Sequence, residues 1–296
     1  MKKILGQFSR MLYFCTLFLT QMRIVTLTTD FGQRDYSVAA VKGKLYSALP
    51  EVNIVDISHL VAPFDILQAS FILKNAYHHF PKGSIHIIGV DAERTPEKKH
   101  LLMLLDGHYF IGADNGIFHL LAENKPKVEL YEIGADEPAT LFPTLYFFPK
   151  VAEKLYNNVP LNKIGKKTDK LVEVKYFKPE ISADNTFIYG TIIYIDHYGN
   201  AVSNITRTLF EEIGKGRRFE IIFNMYAFDK IYNKYSDIID FTTEKNLRHP
   251  DGKRMLLFND LDYLQLSIYK SDLETVGGAS TLLGVKNFDQ VSVHFF

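Results

Sequence analysis

The groups best placed for chemistry in this chain are carboxylates that follow apolar runs. Asp30 and Asp35 sit on either side of Gly32, directly after the run 24–28. Asp91 follows the run 85–90, and Asp56 and His59 close the run 53–57. An ionised carboxylate only accepts, and it accepts twice, so it can hold both hydroxyls of a ribose diol or pair with an ammonium. Asp35 reads equally well as a helix N-cap. Asp30 closes a strand, and a cap does not account for it. Asp56 and His59 read as turn chemistry, with the imidazole donating to a backbone carbonyl. Asp91 opens a charged loop that contains Glu93, Arg94, Glu97, Lys98 and Lys99. Downstream, Asp196, Tyr198 and Asn200 surround a turn. An Asn carboxamide can pair with an adenine edge, and it is also ordinary hairpin-turn chemistry.

Several chemistries are disfavoured. The histidines show no HxxxH or HxH spacing, and His78 and His79 are adjacent, so they cannot share a helix face. A metal site built from Asp30, Asp91 and His59 is the weakest reading. No P-loop, GxGxxG or GxSxG motif is present. A single cysteine, Cys15, excludes an internal disulfide and a cysteine-rich zinc site. A formal net charge of zero offers no electrostatic footprint for nucleic acid or an acidic membrane.

These residues need strand ends to present them. The pattern predicts a strand at 24–28, a helix at 38–49 closed by Pro50, and a strand at 53–57. A helix at 65–77 follows with Asp65 as its cap, then a strand at 85–90. Phe64, just before that helix, is a candidate aromatic wall for a ligand. A β-α-β-α-β order implies right-handed crossovers and a mostly parallel sheet, with ligands at the strands' carboxyl ends. Asp106-Gly107 predicts a hairpin between 101–105 and 109–112. Residues 112–116 form a tight turn whose default role is structural. A last helix runs through 151–155. Residues 169–182 read as a linker. Strands at 187–195, 218–223, 254–258, 263–268 and 291–295 predict an all-β barrel over 183–296. The expected plan is an α/β domain over 22–168, the linker, and the barrel. Residues 1–21 read as a leader or a mis-assigned start, with translation from Met22 preferred. The apolar run at 11–19 is too short to span a bilayer.

The motifs have a joint order and spacing. They are Thr29-Asp30-Phe31-Gly32 with Asp35, Asp56-Ile57-Ser58-His59, Pro63-Phe64-Asp65, Val90-Asp91, Ala113-Asp114-Asn115-Gly116, Asp196-His197-Tyr198-Gly199-Asn200 and Ser203-Asn204-Ile205. In these the chain resembles the S-adenosyl-L-methionine hydroxide adenosyltransferases, relatives of fluorinating and chlorinating enzymes. The resemblance implies an α/β domain and a C-terminal β-barrel in a homotrimer. A small-molecule nucleoside substrate would lie between the first domain of one subunit and the barrel of its neighbour. S-adenosyl-L-methionine is then substrate, with no metal and no other cofactor, and nucleic acid and membrane are not partners. A cytoplasmic protein is expected. Asp30 would bind the ribose diol, Asp35 and Asp196 would lie near the methionine amino group, and Asn200 would pair with adenine. Tyr198 and Phe64 would line the pocket. Water or hydroxide would displace methionine at the ribose 5′ carbon.

The chain departs from the family around the attacking water. Asp91 matches the family's Asp, but the following glycines are replaced by Ala92-Glu93-Arg94-Thr95-Pro96. The family's Arg falls on Lys98, and its later His falls on Pro143 in Phe142-Pro143-Thr144-Leu145-Tyr146. Lys lacks the planar fork of Arg, and Pro has no side chain to orient water. Arg94 is an alternative cation. Asn259-Asp260-Leu261 stands where the halogenating relatives have Asn-Ser-Arg. A hydrolase, a non-catalytic adenosyl-ligand binder and, third, a halogenase are the readings carried forward.

Overall fold

The computed structural model of the protein describes residues 24–123, 125–138, 140–175 and 178–296. The expectation for residues 1–21 lies outside them. The chain divides into two units, one ending at Val174 and the other running from Lys175 to Phe296.

The first unit is organised by β1 (Ile24–Thr29), a six-residue strand of apolar and β-branched residues. Around it are β2 (Asn53–Ser58), β3 (Ile85–Gly89), β4 (His100–Leu105), β5 (His108–Ala113), β6 (Val128–Ile133) and β7 (Lys166–Thr168), in the order β2-β1-β3-β5-β4-β6-β7. β2, β1, β3 and β5 are mutually parallel, whereas β4 and β7 are antiparallel to their neighbours. Five of the seven strands therefore point the same way, and the mostly parallel α/β sheet expected from the sequence is present. The hairpin at Asp106-Gly107 joins β4 to β5.

Side chains alternate across β3, so Ile85 and Ile87 enter one core and Ile88 the other. Val25 and Leu27 pack with Val41 and Leu45 of α1 (Ser37–Ala48). On the opposite face, Ile88 and Phe110 pack with Ala69 and Leu73 of α2 (Ile66–Ala76) and Phe118 of α3 (Ile117–Ala122). α4 (Pro143–Tyr146), α5 (Phe148–Tyr156) and α6 (Leu161–Ile164) follow, and Phe148 and Val151 join the α1 side. Burial on both faces is why the central strands read as continuous apolar runs. Asp65 caps α2 by accepting from the Gln68 N–H at 2.9 Å. Removing a fully buried side chain such as Leu45 costs about 2–5 kcal/mol.

The second unit is a nine-stranded sheet around one core. Its strands are β8 (Glu180–Ile181), β9 (Phe187–Ile195), β10 (Ala201–Thr206), β11 (Phe219–Phe223), β12 (Tyr226–Phe228), β13 (Ile231–Tyr232), β14 (Arg254–Phe258), β15 (Tyr263–Ile268) and β16 (Gln290–Phe295). The main path runs β12-β11-β16-β9-β10-β15-β14-β13, with β8 beside β9. Its two edge strands, β12 and β13, are consecutive in the chain and separated by Asp229 and Lys230 alone. Three Cα steps span at most about 11 Å. The sheet therefore comes back on itself as a nearly closed barrel. Phe228 and Ile231, one from each edge, pack on the same core as Ile188, Ile221, Leu256, Leu266 and Val293. Two short helices, α7 (Arg207–Gly214) and α8 (Ala279–Leu282), complete the unit. β12 and β13 are too short to show the alternation that marks a strand in sequence.

Candidate active site

Four parallel strands of the first unit end on polar residues. β1 delivers Asp30, β2 delivers His59, β3 leads to Asp91, and β5 leads to Asp114 and Asn115. Thr29 pairs with Gly89 in the β1–β3 register, so Asp30 and Asp91 emerge from adjacent strand ends.

Asp30 is half-buried and held on one side only. Its Oδ2 accepts from the Phe64 N–H at 2.9 Å. Oδ1 has no partner among the described residues and is open to a donor from a ligand. Phe64 is a non-glycine residue with φ +64°, and its ring is 72 % exposed. Such a conformation costs on the order of 1 kcal/mol, and here it turns the amide onto the carboxylate. Asp35 is exposed. The residue at the N-cap of α1 is Tyr36, and no side chain caps that helix. The capping reading of Asp35 is therefore not realised, and its carboxylate is unpartnered among the described residues.

Asp91 has φ +43° and faces a cation. Lys98 Nζ stands 2.5 Å from Asp91 Oδ1, with the two side chains 18 % and 33 % exposed. The intervening loop is folded back by two hydrogen bonds: the Thr95 N–H donates to the Lys98 carbonyl at 2.9 Å, and the Lys98 N–H donates to Thr95 Oγ1 at 3.0 Å. Asn115 steadies the strand end from β5, its Nδ2 donating to the Val90 carbonyl at 3.0 Å. Arg94 is engaged with other groups. Its guanidinium donates to the carbonyls of Gly134 and Glu137. Of the two cations singled out in the sequence, Lys98 is therefore the one that meets Asp91.

Pro143 is buried as the first residue of α4, where the missing N–H costs nothing. The next residue, Thr144, is fully buried, and its Oγ1 has no hydrogen-bond partner. Its methyl group, the Phe31 ring and the Thr29 methyl group would each lie 3.0–3.1 Å from a Cβ at position 89, which explains glycine there. Thr144 thus sits against the end of β3. Sequence reasoning passed over it, because a threonine beside a proline carries no signal of its own.

His59 also differs from expectation. Its ring does not donate to a backbone carbonyl. Nδ1 lies 2.8 Å from Thr29 Oγ1, and Nε2 stands 3.0 Å from Asp56 Oδ1 in a bent contact. Asp56 also takes Lys42 Nζ at 2.5 Å. Partial burial pushes the Asp56 carboxyl up, but the donors Lys42 and His59 outweigh it and hold it below the ordinary carboxylate value. Asp114 is shifted the other way: burial raises it, and the Val172 N–H only partly offsets the rise.

Behind the charged loop, Arg94, His100, Glu137 and Phe147 line a cavity of about 130 Å³. That is smaller than the ~300–1,000 Å³ of small-molecule sites. Among the described residues no cluster of His, Cys, Asp and Glu could hold a metal ion, and no helix is long and apolar enough to cross a membrane.

In the second unit, Asp196 organises its turn. Its Oδ1 accepts from the Tyr198 and Asn200 N–H groups, each at 2.9 Å, and its Oδ2 from Asn200 Nδ2 at 2.7 Å. Asn200 Oδ1 is buried and unpartnered. Tyr198 presents a ring that is 59 % exposed. Gly278 packs so closely here that a Cβ on it would fall 2.5 Å from the Tyr198 carbonyl oxygen. Asn259 serves a turn, its Oδ1 accepting from the Leu261 and Tyr263 N–H groups.

Two family models match the chain: the SAM hydroxide adenosyltransferase N-terminal domain over residues 25–165 and the corresponding C-terminal domain over residues 190–292. The chain is 27 % identical to the (R)-S-adenosyl-L-methionine hydrolase of Methanocaldococcus jannaschii over 282 residues, covering 91 % of this chain and 95 % of that protein. It is 29 % identical to the fluorinase of Nocardia brasiliensis over 224 residues, covering 65 % of this chain and 74 % of the fluorinase. The crystal structure of a conserved protein from Thermotoga maritima shares the fold with a TM-score of 0.75 at 24 % identity, covering 92 % of this chain and 99 % of the other. With both models matched over most of its length, the chain belongs to the SAM hydroxide adenosyltransferase family.

Proposed function

We propose that the protein hydrolyses S-adenosyl-L-methionine to adenosine and L-methionine. The observation that carries this reading is the half-held carboxylate of Asp30 emerging beside the Asp91–Lys98 pair. A ribose whose diol docks on the open oxygen of Asp30 brings its 5′ carbon to the same group of strand ends. Asp35 and Phe64 join Asp30 in the first unit's half of the site, and we assign the other half to Asp196, Tyr198 and Asn200 of a neighbouring copy in a homotrimer.

In the reaction the water oxygen forms a bond to C5′ as the C5′–S bond breaks. The electron pair goes to sulfur, and methionine leaves as a neutral thioether. The sulfonium needs no general acid, so the protein's task is to align water and strip it of solvent. Asp91 accepts from the attacking water and takes its proton. Lys98 orients Asp91 through their ion pair. With Arg94 bound to two carbonyls, Lys98 is the cation we assign to this step.

Incubation with S-adenosyl-L-methionine followed by chromatography tests this. Adenosine and methionine should appear in equal amounts. No product above blank at micromolar enzyme, with adenosine binding intact, rejects hydrolysis. That outcome would favour the second reading, a non-catalytic adenosyl-ligand binder, which Pro143 at the place of the family's His supports. A 5′-halo-adenosine formed only with chloride or fluoride would mark the third, a halogenase.

A further inference from the structure

Thr29, His59, Asp56 and Lys42 form a connected polar chain that the proposed reaction does not use. Lys42 Nζ meets Asp56 Oδ2 at 2.5 Å, Asp56 Oδ1 lies 3.0 Å from His59 Nε2, and His59 Nδ1 lies 2.8 Å from Thr29 Oγ1. The Nε2 contact is too bent for a hydrogen bond, but the adjacent carboxylate favours the ring proton there, and Nδ1 then accepts from the threonine hydroxyl. Thr29 and His59 are 1 % and 3 % exposed, so neither can touch a ligand. A hydroxyl, an imidazole and a carboxylate in line resemble a nucleophile relay. Burial of Thr29, with its methyl group against Gly89, excludes attack on a substrate.

The same histidine holds the turn a second time. Its carbonyl accepts from the Gly32 N–H at 2.7 Å. The residues held, Thr29 and Gly32, flank Asp30. Five residues beyond His59, the Phe64 N–H binds the Asp30 carboxylate. The loop from His59 to Phe64 therefore grips the β1 turn at three points: side chain to Thr29, carbonyl to Gly32, amide to Asp30.

We infer that His59 is a positioning residue for ribose recognition, setting through Thr29 and Gly32 the direction of the open oxygen of Asp30. The inference rests on Asp30 being the ribose carboxylate. If Asp30 swings by even part of an ångström, it keeps one of its two hydroxyl contacts and loses the other. One charge-assisted hydrogen bond corresponds to about a tenfold change in affinity.

The test uses binding, so it stands apart from turnover. Adenosine and 2′,3′-dideoxyadenosine are titrated by calorimetry into the wild-type protein, His59→Gln and Thr29→Val. Thr29→Val keeps the β-branched shape and removes only the hydroxyl. The wild type should prefer adenosine. In both variants adenosine should weaken about tenfold while the dideoxynucleoside binds as before, so the preference collapses. General damage would weaken both ligands equally, and that result overturns the inference. Retention of the wild-type preference in Thr29→Val overturns it too, whatever His59→Gln does, and Thr29→Val alone decides if His59→Gln does not fold. A wild type that binds both ligands equally would instead refute the assignment of Asp30, and this inference with it.

Discussion

Acid should destabilise the first unit well above the pH at which carboxylates titrate, because burial holds its histidines His86, His100 and, by a smaller shift, His108 below their ordinary value. His86, on β3, is fully buried. Its Nδ1 lies 2.7 Å from Thr26 Oγ1 and its Nε2 3.2 Å from His108 Nδ1, and its ring stacks on Phe110 at 4.7 Å. Burial first, and then the neighbouring His108, push it down from 6.5 to about 3. His100, on β4, stacks on Phe147 and contacts the Ala92 carbonyl at 2.9 Å. Burial pushes it down to about 4, the Ala92 carbonyl opposes this, and the charges of Arg94 and Lys98 add to the fall. Both folded values lie below the unfolded one. The unfolded chain therefore binds more protons, and stability falls as pH drops from about 6.5 toward the folded values. At pH 4.5 linkage gives a loss of ~2.5 kcal/mol from each of the two, ~5 kcal/mol together. A whole domain commonly has only ~5–15 kcal/mol. Asp56 and Asp106, held below the ordinary carboxylate value, add their losses only at lower pH. Asp114, held above it, opposes the trend. Urea unfolding followed by circular dichroism at pH 7.5, 6, 5 and 4.5 measures the slope. His86→Phe, which keeps a ring in the stack, should be less stable at pH 7.5 and show about half the wild-type pH dependence. A wild-type stability constant within ~1 kcal/mol across this range, or an unchanged slope in His86→Phe, refutes the reasoning.

The other expectations concern single contacts. Asp91→Ala should reduce adenosine formation by about a hundredfold or more while adenosine binding persists, since the residue acts on water. Lys98→Met should also lower turnover, by about ten- to a hundredfold, because Asp91 loses the ammonium that orients it. Thr144→Val removes an unpartnered buried hydroxyl and should raise the melting temperature slightly, a gain of about 1 kcal/mol. A simultaneous loss of turnover would mark that hydroxyl as a contact of the reacting water. Gly278→Ala places a methyl group against the Tyr198 carbonyl, and backbone cannot yield as a side chain does. A loss of about 2–4 kcal/mol is expected in thermal melts. Sedimentation analysis should find three copies in the assembled protein, and a monomer at micromolar concentration would count against sites shared between subunits.

Much of the first unit was legible because its signals are local. The β-branched run 24–28, the Asp65 cap and the Asp106-Gly107 turn each act within a few residues. Strand-end logic alone places Asp30 and Asp91 at the ends of apolar strands, where they lie. The role of His59 was not legible, because its partner Thr29 is thirty positions away and meets it only across paired strands. Asp35 had the right residue type for a cap one position too early, and no hydrogen bond forms. Lys98 and Arg94 both looked able to meet Asp91. The hydrogen bonds of Thr95 decide between them, and a pair of loop hydrogen bonds leaves no periodic trace in sequence. In the second unit, Asp196 and Asn200 were visible as turn chemistry, and the hydrogen bonds around them satisfy that chemistry while leaving one carboxamide oxygen unpaired.

The link between the two edge strands of the barrel bears on how that unit can fold and be altered. A gap of two residues between β12 and β13 makes joining the last edges an inexpensive event in chain entropy, far less than joining strands from opposite ends of the unit. Covalent connectivity, rather than a ladder of hydrogen bonds, holds the seam. Proteolytic nicking at Asp229-Lys230 would free two strand edges and expose unpaired backbone groups, an invitation to self-association. The twenty-one residues between β13 and β14, by contrast, leave from one edge and can lengthen without opening the seam. Insertions should be tolerated there and selected against at Asp229-Lys230.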